Sequence, residues 1–261
     1  MVRSSSRVGK VKNFPNAPVS EVILGVTSSE KWLSIEDQFD AQRALSDTFP
    51  RVEILPPIAD EWMDGFQLTQ DLNPGRMGVV LVRLRSNDGN WMCQIQANKF
   101  YFNWIRPDFE PVGSYPGFED IYQRFCEAFQ ALSERFPKIT SIPVKYYDLG
   151  YHDRLEWQDY IDNLSDVHKI MRFNPPAIET PEGLNNSFSR YTYNYSPLGG
   201  YGVFAVNTDT AATGKQVLKL ESTLRGIVPN QSREDWFNTA HMIQYEHFMR
   251  VFTPEVLKRW S

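Results

Sequence analysis

The sequence predicts an α+β fold in which an antiparallel sheet carries long amphipathic helices packed on one face. Three observations point there. Residues 78–105 alternate apolar and polar with period two around turn signals, Phe118 to Leu132 repeat with the period of a helix, and the second half runs through a similar order of elements. At 261 residues the chain fits one such domain, and with 41% hydrophobic and 14% aromatic residues it has enough apolar surface to offset the entropy of ordering it.

Residues 1–15 carry Arg3, Arg7, Lys10 and Lys12 with no acid and end at Pro15, which predicts a flexible basic tail ahead of a single domain over 16–261. Val22, Leu24 and Val26 alternate with Ile23 and Gly25 and read as a buried strand. Ser34 is an N-cap candidate for a first helix whose apolar residues would be Ile35, Phe39 and Leu45. Val80, Val82 and Leu84 share one strand face, and Asn87-Asp88-Gly89-Asn90 supplies the positive φ of a tight turn. Trp91, Cys93, Ile95 and Ala97 then share a face, as do Phe100, Phe102 and Trp104 after a turn at Asn98-Lys99. Together these make a three-stranded antiparallel meander.

The strongest helix runs from about Gly117 to Arg135, with Phe118, Ile121, Tyr122, Phe125, Phe129 and Leu132 on one side. Its apolar stripe needs a sheet to cover it, and the meander is the nearest. Strands around 139–152, 187–195, 201–207 and 216–225 follow, then a long helix from about Arg233. A short helix is expected at 157–171, and Pro175-Pro176 and Pro181 mark a long connection. Thr253-Pro254 ends the last long helix and starts a terminal turn, with Trp260 folding back. The matching order predicts two pseudo-duplicated β-meander and helix halves, 16–136 and 137–261.

No stretch approaches the ~20 apolar residues of a membrane span, and the basic start lacks the apolar core of a secretory signal, so a cytoplasmic protein without a membrane partner is expected. Cys93 and Cys126 belong to no C-x-x-C pair and read as reduced thiols. Removing the four positives of the tail takes the net charge from -5 to -9, a body that repels phosphate backbones.

Asn16-Ala17-Pro18-Val19-Ser20-Glu21-Val22 opens the ordered chain with a Pro-apolar-x-Glu pattern. Residues 91–106, WMCQIQANKFYFNWIR, contain Q-x-Q-x-x-K-F-x-x-N-W. Tyr115-Pro116-Gly117-Phe118-Glu119 opens the long helix, and His241, Phe248, Thr253, Glu255 and Trp260 are spaced along the last stretch. Together these segments resemble a sporadically distributed, uncharacterised family of bacterial and archaeal proteins of similar length. Lys99 stands where that family often has Arg. Tyr151-His152-Asp153-Arg154 matches its Tyr-Ile-Asn-His strand with Asp for Asn and Arg for His. The resemblance implies a cytosolic prokaryotic protein and brings no established activity.

No P-loop, dinucleotide fingerprint, nucleophile elbow or zinc helix is present, and no cofactor or metal is expected. Asp148 and His152 lie four apart on one predicted strand face, with Asp153 and Glu156 close behind. These four are the candidates for a hydrolase or nuclease, against the plainer reading of solvated acids at a sheet edge. His241 borders the apolar stripe of the last helix and reads as a hydrogen-bonded core histidine. Tyr101 and Asn103 on the second face of the meander, with Lys99 and Arg106 nearby, form one candidate binding surface, and Tyr191, Tyr193 and Tyr195 on one strand face form another. With few acid–base groups and aromatic-rich strands, the expected function is non-catalytic recognition of a protein partner, as an accessory component of a prokaryotic defence or regulatory system. Nucleic-acid binding is the remaining alternative.

Overall fold

A computed structural model describes residues 14–58, 60–64, 67–71, 80–106, 114–172, 188–210 and 214–261. The expected flexible tail falls largely, and the proline-rich connection wholly, outside the described residues. Phe14, expected in the tail, is buried and packs on Phe248 with ring centroids 5.6 Å apart.

The architecture is α+β. One antiparallel sheet is built from β1 (Val19–Ser28), β2 (Arg51–Leu55), β5 (Leu81–Arg85), β6 (Trp91–Gln96), β7 (Lys99–Ile105), β8 (Val144–Glu156), β9 (Phe188–Tyr195), β10 (Gly200–Thr210) and β11 (Gln216–Gly226). Its order is β2-β5-β6-β7-β1-β8-β11-β10-β9, while β3 (Asp60–Asp64) and β4 (Gln67–Asp71) form a separate ribbon. β1 pairs with β7 on one side and β8 on the other, so the first strand joins the two halves. In each half the opening strand lies beside the last meander strand, β1 beside β7 and β8 beside β11. The ribbon and β2 of the first half have no counterpart among the described residues of the second, and the expected pseudo-duplication is not shown.

The helices cover one face. Val22, Leu24 and Val26 of β1 and Phe100, Phe102 and Trp104 of β7 point under them, as period two requires, and each is at most 2% exposed. α2 (Phe118–Arg135) starts after Gly117, whose φ of 97° is a conformation side chains rarely adopt. Glu119 and Asp120 in its first turn complement the helix dipole. Phe125 packs on Phe100 at 5.9 Å and on Phe102 at 6.5 Å. α4 (Arg233–Val251) is capped by the Ser232 hydroxyl, which accepts from the Asp235 amide at 3.0 Å. Phe125 meets Phe237 at 5.3 Å and Phe118 meets His241 at 4.1 Å, so α2 and α4 run antiparallel, joined by an aromatic seam.

Several boundaries differ from expectation. In α1 (Ile35–Leu45) the buried residues are Gln38, Ala41 and Leu45, while Ile35 and Phe39 are 47% and 44% exposed. Trp32 and Leu33, just ahead of the cap, take the core positions instead. The strand expected at 139–152 begins only at Val144, because Lys138–Ser141 form a single helical turn, α3, anchored by buried Ile139. The short helix expected at 157–171 is two 3₁₀ turns, Trp157–Asp159 and Leu164–Lys169. At the end, Thr253 is the N-cap of α5 (Pro254–Arg259), and Trp260 folds back as expected, donating from Nε1 to the Tyr160 hydroxyl at 2.9 Å. No helix among the described residues is long and apolar enough to cross a membrane.

Phe125 is wholly buried at the junction of β7, α2 and α4. Phe125→Ala is expected to cost ~3–5 kcal/mol through the cavity it leaves. Urea unfolding should show this as a lower midpoint at an unchanged slope; a loss below ~1 kcal/mol would contradict the packing described.

Candidate functional site

The sequence candidates separate on the two faces of the sheet. Of the proposed hydrolytic quartet, Asp148 and His152 share the face away from the helices but serve different partners. Asp148 accepts from Arg225 Nε at 2.5 Å and from the Tyr101 hydroxyl at 3.1 Å. His152 Nδ1 meets Glu21 at 3.0 Å. Asp153, one residue on, points to the helix face, and Glu156 pairs with Lys215 at 2.5 Å near solvent. The four do not converge, because alternation along a single strand separates neighbours. Among the described residues no group of three or more His, Cys, Asp or Glu could hold a metal ion.

Tyr101, Asn103 and Arg106 are not an open surface either. They are 7%, 1% and 5% exposed. Gln94 donates to Asn103 at 3.2 Å, and Asn103 donates to Glu21 at 2.6 Å. With Arg83, which donates to Glu53 and Gln94, and with His152, this makes a continuous polar row across six strands from β2 to β8. Burial alone would raise the Glu21 carboxyl, but the His152 hydrogen bond and charge and the Asn103 amide outweigh it and hold it below its usual range. Burial alone would lower His152, and Glu21 reverses that as well. A second cluster spans β7 to β11: the Tyr101 ring lies across β1 to reach Asp148. Only Gly25 permits this, since a Cβ there would stand 2.4 Å from Tyr101 Cε1.

The helix face holds the candidate site, a partly open cavity of about 310 Å³ between α4 and strands β8, β10 and β11. It lies beyond the start of α2, which begins opposite His241, where α4 continues from Met242 to Val251 with Phe14 and Trp260 packed on its Phe248. Phe204, Phe248 and Phe252 supply apolar wall, and Tyr191 of the predicted tyrosine strand contributes. Tyr193 and Tyr195 flank that wall, packing on Phe204 at 5.7 and 6.4 Å, with Tyr193 41% exposed.

Polar groups enter this apolar space from three elements. The Tyr115 and Tyr151 hydroxyls are 3.2 Å apart, and the Tyr151 hydroxyl is 3.1 Å from His241 Nδ1. His241 lies flat on Phe118, with its plane only 6° from the phenyl ring. Burial pulls His241 down to about 4 and pushes both phenols up, so this chain of three is uncharged at neutral pH. His247, stacked on Phe204 at 3.7 Å, is likewise lowered to about 4, by burial and then by the charge of Arg250. Gln244 donates to the Leu149 carbonyl at 3.2 Å and accepts from the Ser222 hydroxyl at 2.7 Å, tying α4 to the sheet at the cavity floor.

Asp153 stands apart in this group. It is 8% exposed, and its Oδ1 has no hydrogen-bond partner among the described residues. Burial raises its carboxyl to about 7, against the lowering influence of His152 and Arg106. Such a group is a marker of sites that bind or transform ligands. A second hollow of about 620 Å³ lies between α2, residues 139–144 and the start of α4, where Arg233 already contacts Cys126 at 3.6 Å. The first cavity is the stronger site because polar groups converge in it. No family model matches the chain, and no curated protein is significantly similar to it.

Two outcomes test these environments. Gly25→Ala should destabilise by ~1–3 kcal/mol through overpacking against Tyr101, and the penalty should shrink in a Tyr101→Ala background. Equal penalties in both backgrounds would show that the ring does not cross Gly25. For Asp153 the folded-state pKa, about 7, lies above the ordinary carboxylate value. The folded protein therefore keeps a proton that the unfolded chain loses, and stability falls as pH rises from ~4 to ~7. Asp153→Asn should remove this fall, stabilising at pH 8 by on the order of 2–4 kcal/mol relative to its effect at pH 4. A pH-independent difference in thermal midpoint would refute the assignment.

Proposed function

We propose that this chain is a non-catalytic binding protein whose cavity between α4 and the sheet takes a small amphiphilic organic molecule. The observation that carries the reading is the convergence of two phenols, an imidazole and an unpartnered carboxyl on an otherwise apolar cavity of about 310 Å³. Binding is favoured over acid–base catalysis because the histidine on the wall, at about 4, is a weak base at neutral pH. The Ser222 hydroxyl is also already committed to Gln244. A ligand-responsive role of this kind suits an accessory component of a prokaryotic regulatory or defence system, the setting expected from the sequence.

A second reading rests on a different observation. β9 is the outermost strand of the sheet, and its Phe188 and Tyr193 are 66% and 41% exposed. An exposed edge with aromatic side chains is a template for a protein partner that adds a strand. The tyrosines link the two readings, since Tyr191 lines the cavity while Tyr193, on the same strand face, packs on Phe204 and is 41% exposed.

The small-molecule reading predicts saturable binding of a neutral probe, tert-butylbenzene, with amide NMR shifts confined to residues around Ser222, His241 and Gln244. Val206→Trp, which fills the cavity from β10, should abolish the shifts. Identical shifts in wild type and Val206→Trp would overturn it. The edge-strand reading predicts that Tyr193→Ser with Tyr195→Ser, in a folded protein, removes partner capture.

A further inference from the structure

The walls of the cavity constrain the charge of its ligand, an argument that rests on the cavity being the binding site. Among the described residues lining it there is no Lys or Arg. Asp153 lines the interior and Glu119, in the first turn of α2, stands at the rim. Glu221 contributes to the wall from β11, but it lies in register with His152 and so shares the opposite face. The remaining polar groups, Tyr115, Tyr151 and His241, carry no charge at neutral pH. The rings of Phe118, Phe204, Phe248 and Phe252 complete the lining, with one face of Phe118 stacked on His241 and one face of Phe204 stacked on His247.

We infer that the ligand is an organic cation, an amine or quaternary ammonium on an apolar body, with Asp153 as its counter-ion. Aromatic faces carry negative quadrupole potential and attract a cation within about 6 Å, the more so where water is excluded. A buried carboxylate oxygen without a partner is costly, and a cation placed beside Asp153 Oδ1 removes that cost. An anionic ligand would meet Asp153 and Glu119 with no lining cation to offset them. A neutral ligand would leave Oδ1 unsatisfied unless the carboxyl stayed protonated.

The charged and titratable groups around Asp153 come from every neighbouring element. Arg106 follows β7, His152 is its neighbour on β8 but on the other face, and Glu119, Tyr115 and His241 approach from the helix side. His152 and Arg106 lower the Asp153 carboxyl, yet burial keeps it raised to about 7, so an incoming cation competes with a proton for it. Cation binding must therefore strengthen as pH rises through that value, and it must release a proton below it. His241 and His247, at about 4, stay neutral throughout this window.

Phenyltrimethylammonium and tert-butylbenzene have the same shape and differ in charge, and benzenesulfonate reverses the charge. At pH 8 the full chain should bind phenyltrimethylammonium at least ~10-fold more tightly than tert-butylbenzene, with benzenesulfonate weakest. The preference should fall below ~3-fold at pH 5.5, and likewise in Asp153→Asn at pH 8. The pH arm uses wild-type protein, so the test holds even if the variant does not fold. Equal affinity for cation and neutral isostere, a preference indifferent to pH, or tighter binding of benzenesulfonate would each overturn the inference while leaving the cavity as a binding site. Failure of all three probes to bind would overturn the cavity reading itself.

Discussion

The arrangement of this molecule depends on the aromatic seam between α2 and α4. Two antiparallel helices of similar length lie on one sheet, and they meet where Phe118, Tyr122 and Phe125 oppose Phe237 and His241 and where Arg233 lies over Phe125 and Phe129. That contact spans the β1–β8 pairing beneath it, so the halves of the chain are joined twice, once through the backbone ladder and once through rings. It also sets an offset. Gly117 starts α2 opposite His241, and the far half of α4 runs on over β8, β10 and β11 beyond the end of α2. One helix cannot fill the width that two would, and close packing fails there over a volume large enough for a ligand. The cavity is thus a consequence of helix register rather than of any local motif.

The other face of the sheet meets a different constraint. Its central residues are polar and largely buried, so each must find a partner or impose the desolvation cost of an unsatisfied group. The row from Glu53 to His152 and the Tyr101–Asp148–Arg225 cluster meet that requirement by linking strands laterally. The Arg225–Asp148 pair, at 13% and 3% side-chain exposure, takes both charges from water, so its attraction is largely offset by desolvation, while loss of either partner would leave a buried charge uncompensated. Gly25 belongs to this design: its missing side chain lets one ring cross a strand and bind a carboxylate two strands away. The face that the sequence offered for binding therefore carries its polar residues for its own cohesion.

Much of the fold was legible because periodicity reports faces. Phe100, Phe102 and Trp104 under the helix, Tyr101 and Asn103 opposite, and the α2 stripe all followed from alternation of 2 and 3.6. What periodicity could not report was whether a polar face is covered. That depends on Glu21, Asp148 and Arg225 arriving from distant strands in a register no local pattern records. The same limit led the hydrolytic quartet astray, since four groups close in sequence were split between two faces by the alternation that placed Asp148 with His152. β2 and the β3–β4 ribbon were not read from the sequence. For the cavity one signal existed. On α4, His241 and Gln244 occupy positions at i+4 and i+7 from Phe237, within the stripe that should be apolar, and polar residues at core positions need partners or a site.

Asp153 shows how stability and binding pull against each other here. A carboxyl raised to about 7 by burial weakens the folded state at neutral pH, and an apolar residue in its place would remove that cost. The Gln244 and Ser222 contacts show that the same neighbourhood can satisfy polar groups fully, so the bare oxygen is not imposed by the fold. It lies on the cavity wall, among aromatic rings. In the proposed binding role, an unsatisfied carboxyl within reach of a ligand would concentrate the binding energy on a single charge-assisted contact, while the apolar wall would supply the rest without regard to orientation. Specificity in such a cavity would lie in the carboxyl and affinity in the rings, and the two can be altered independently.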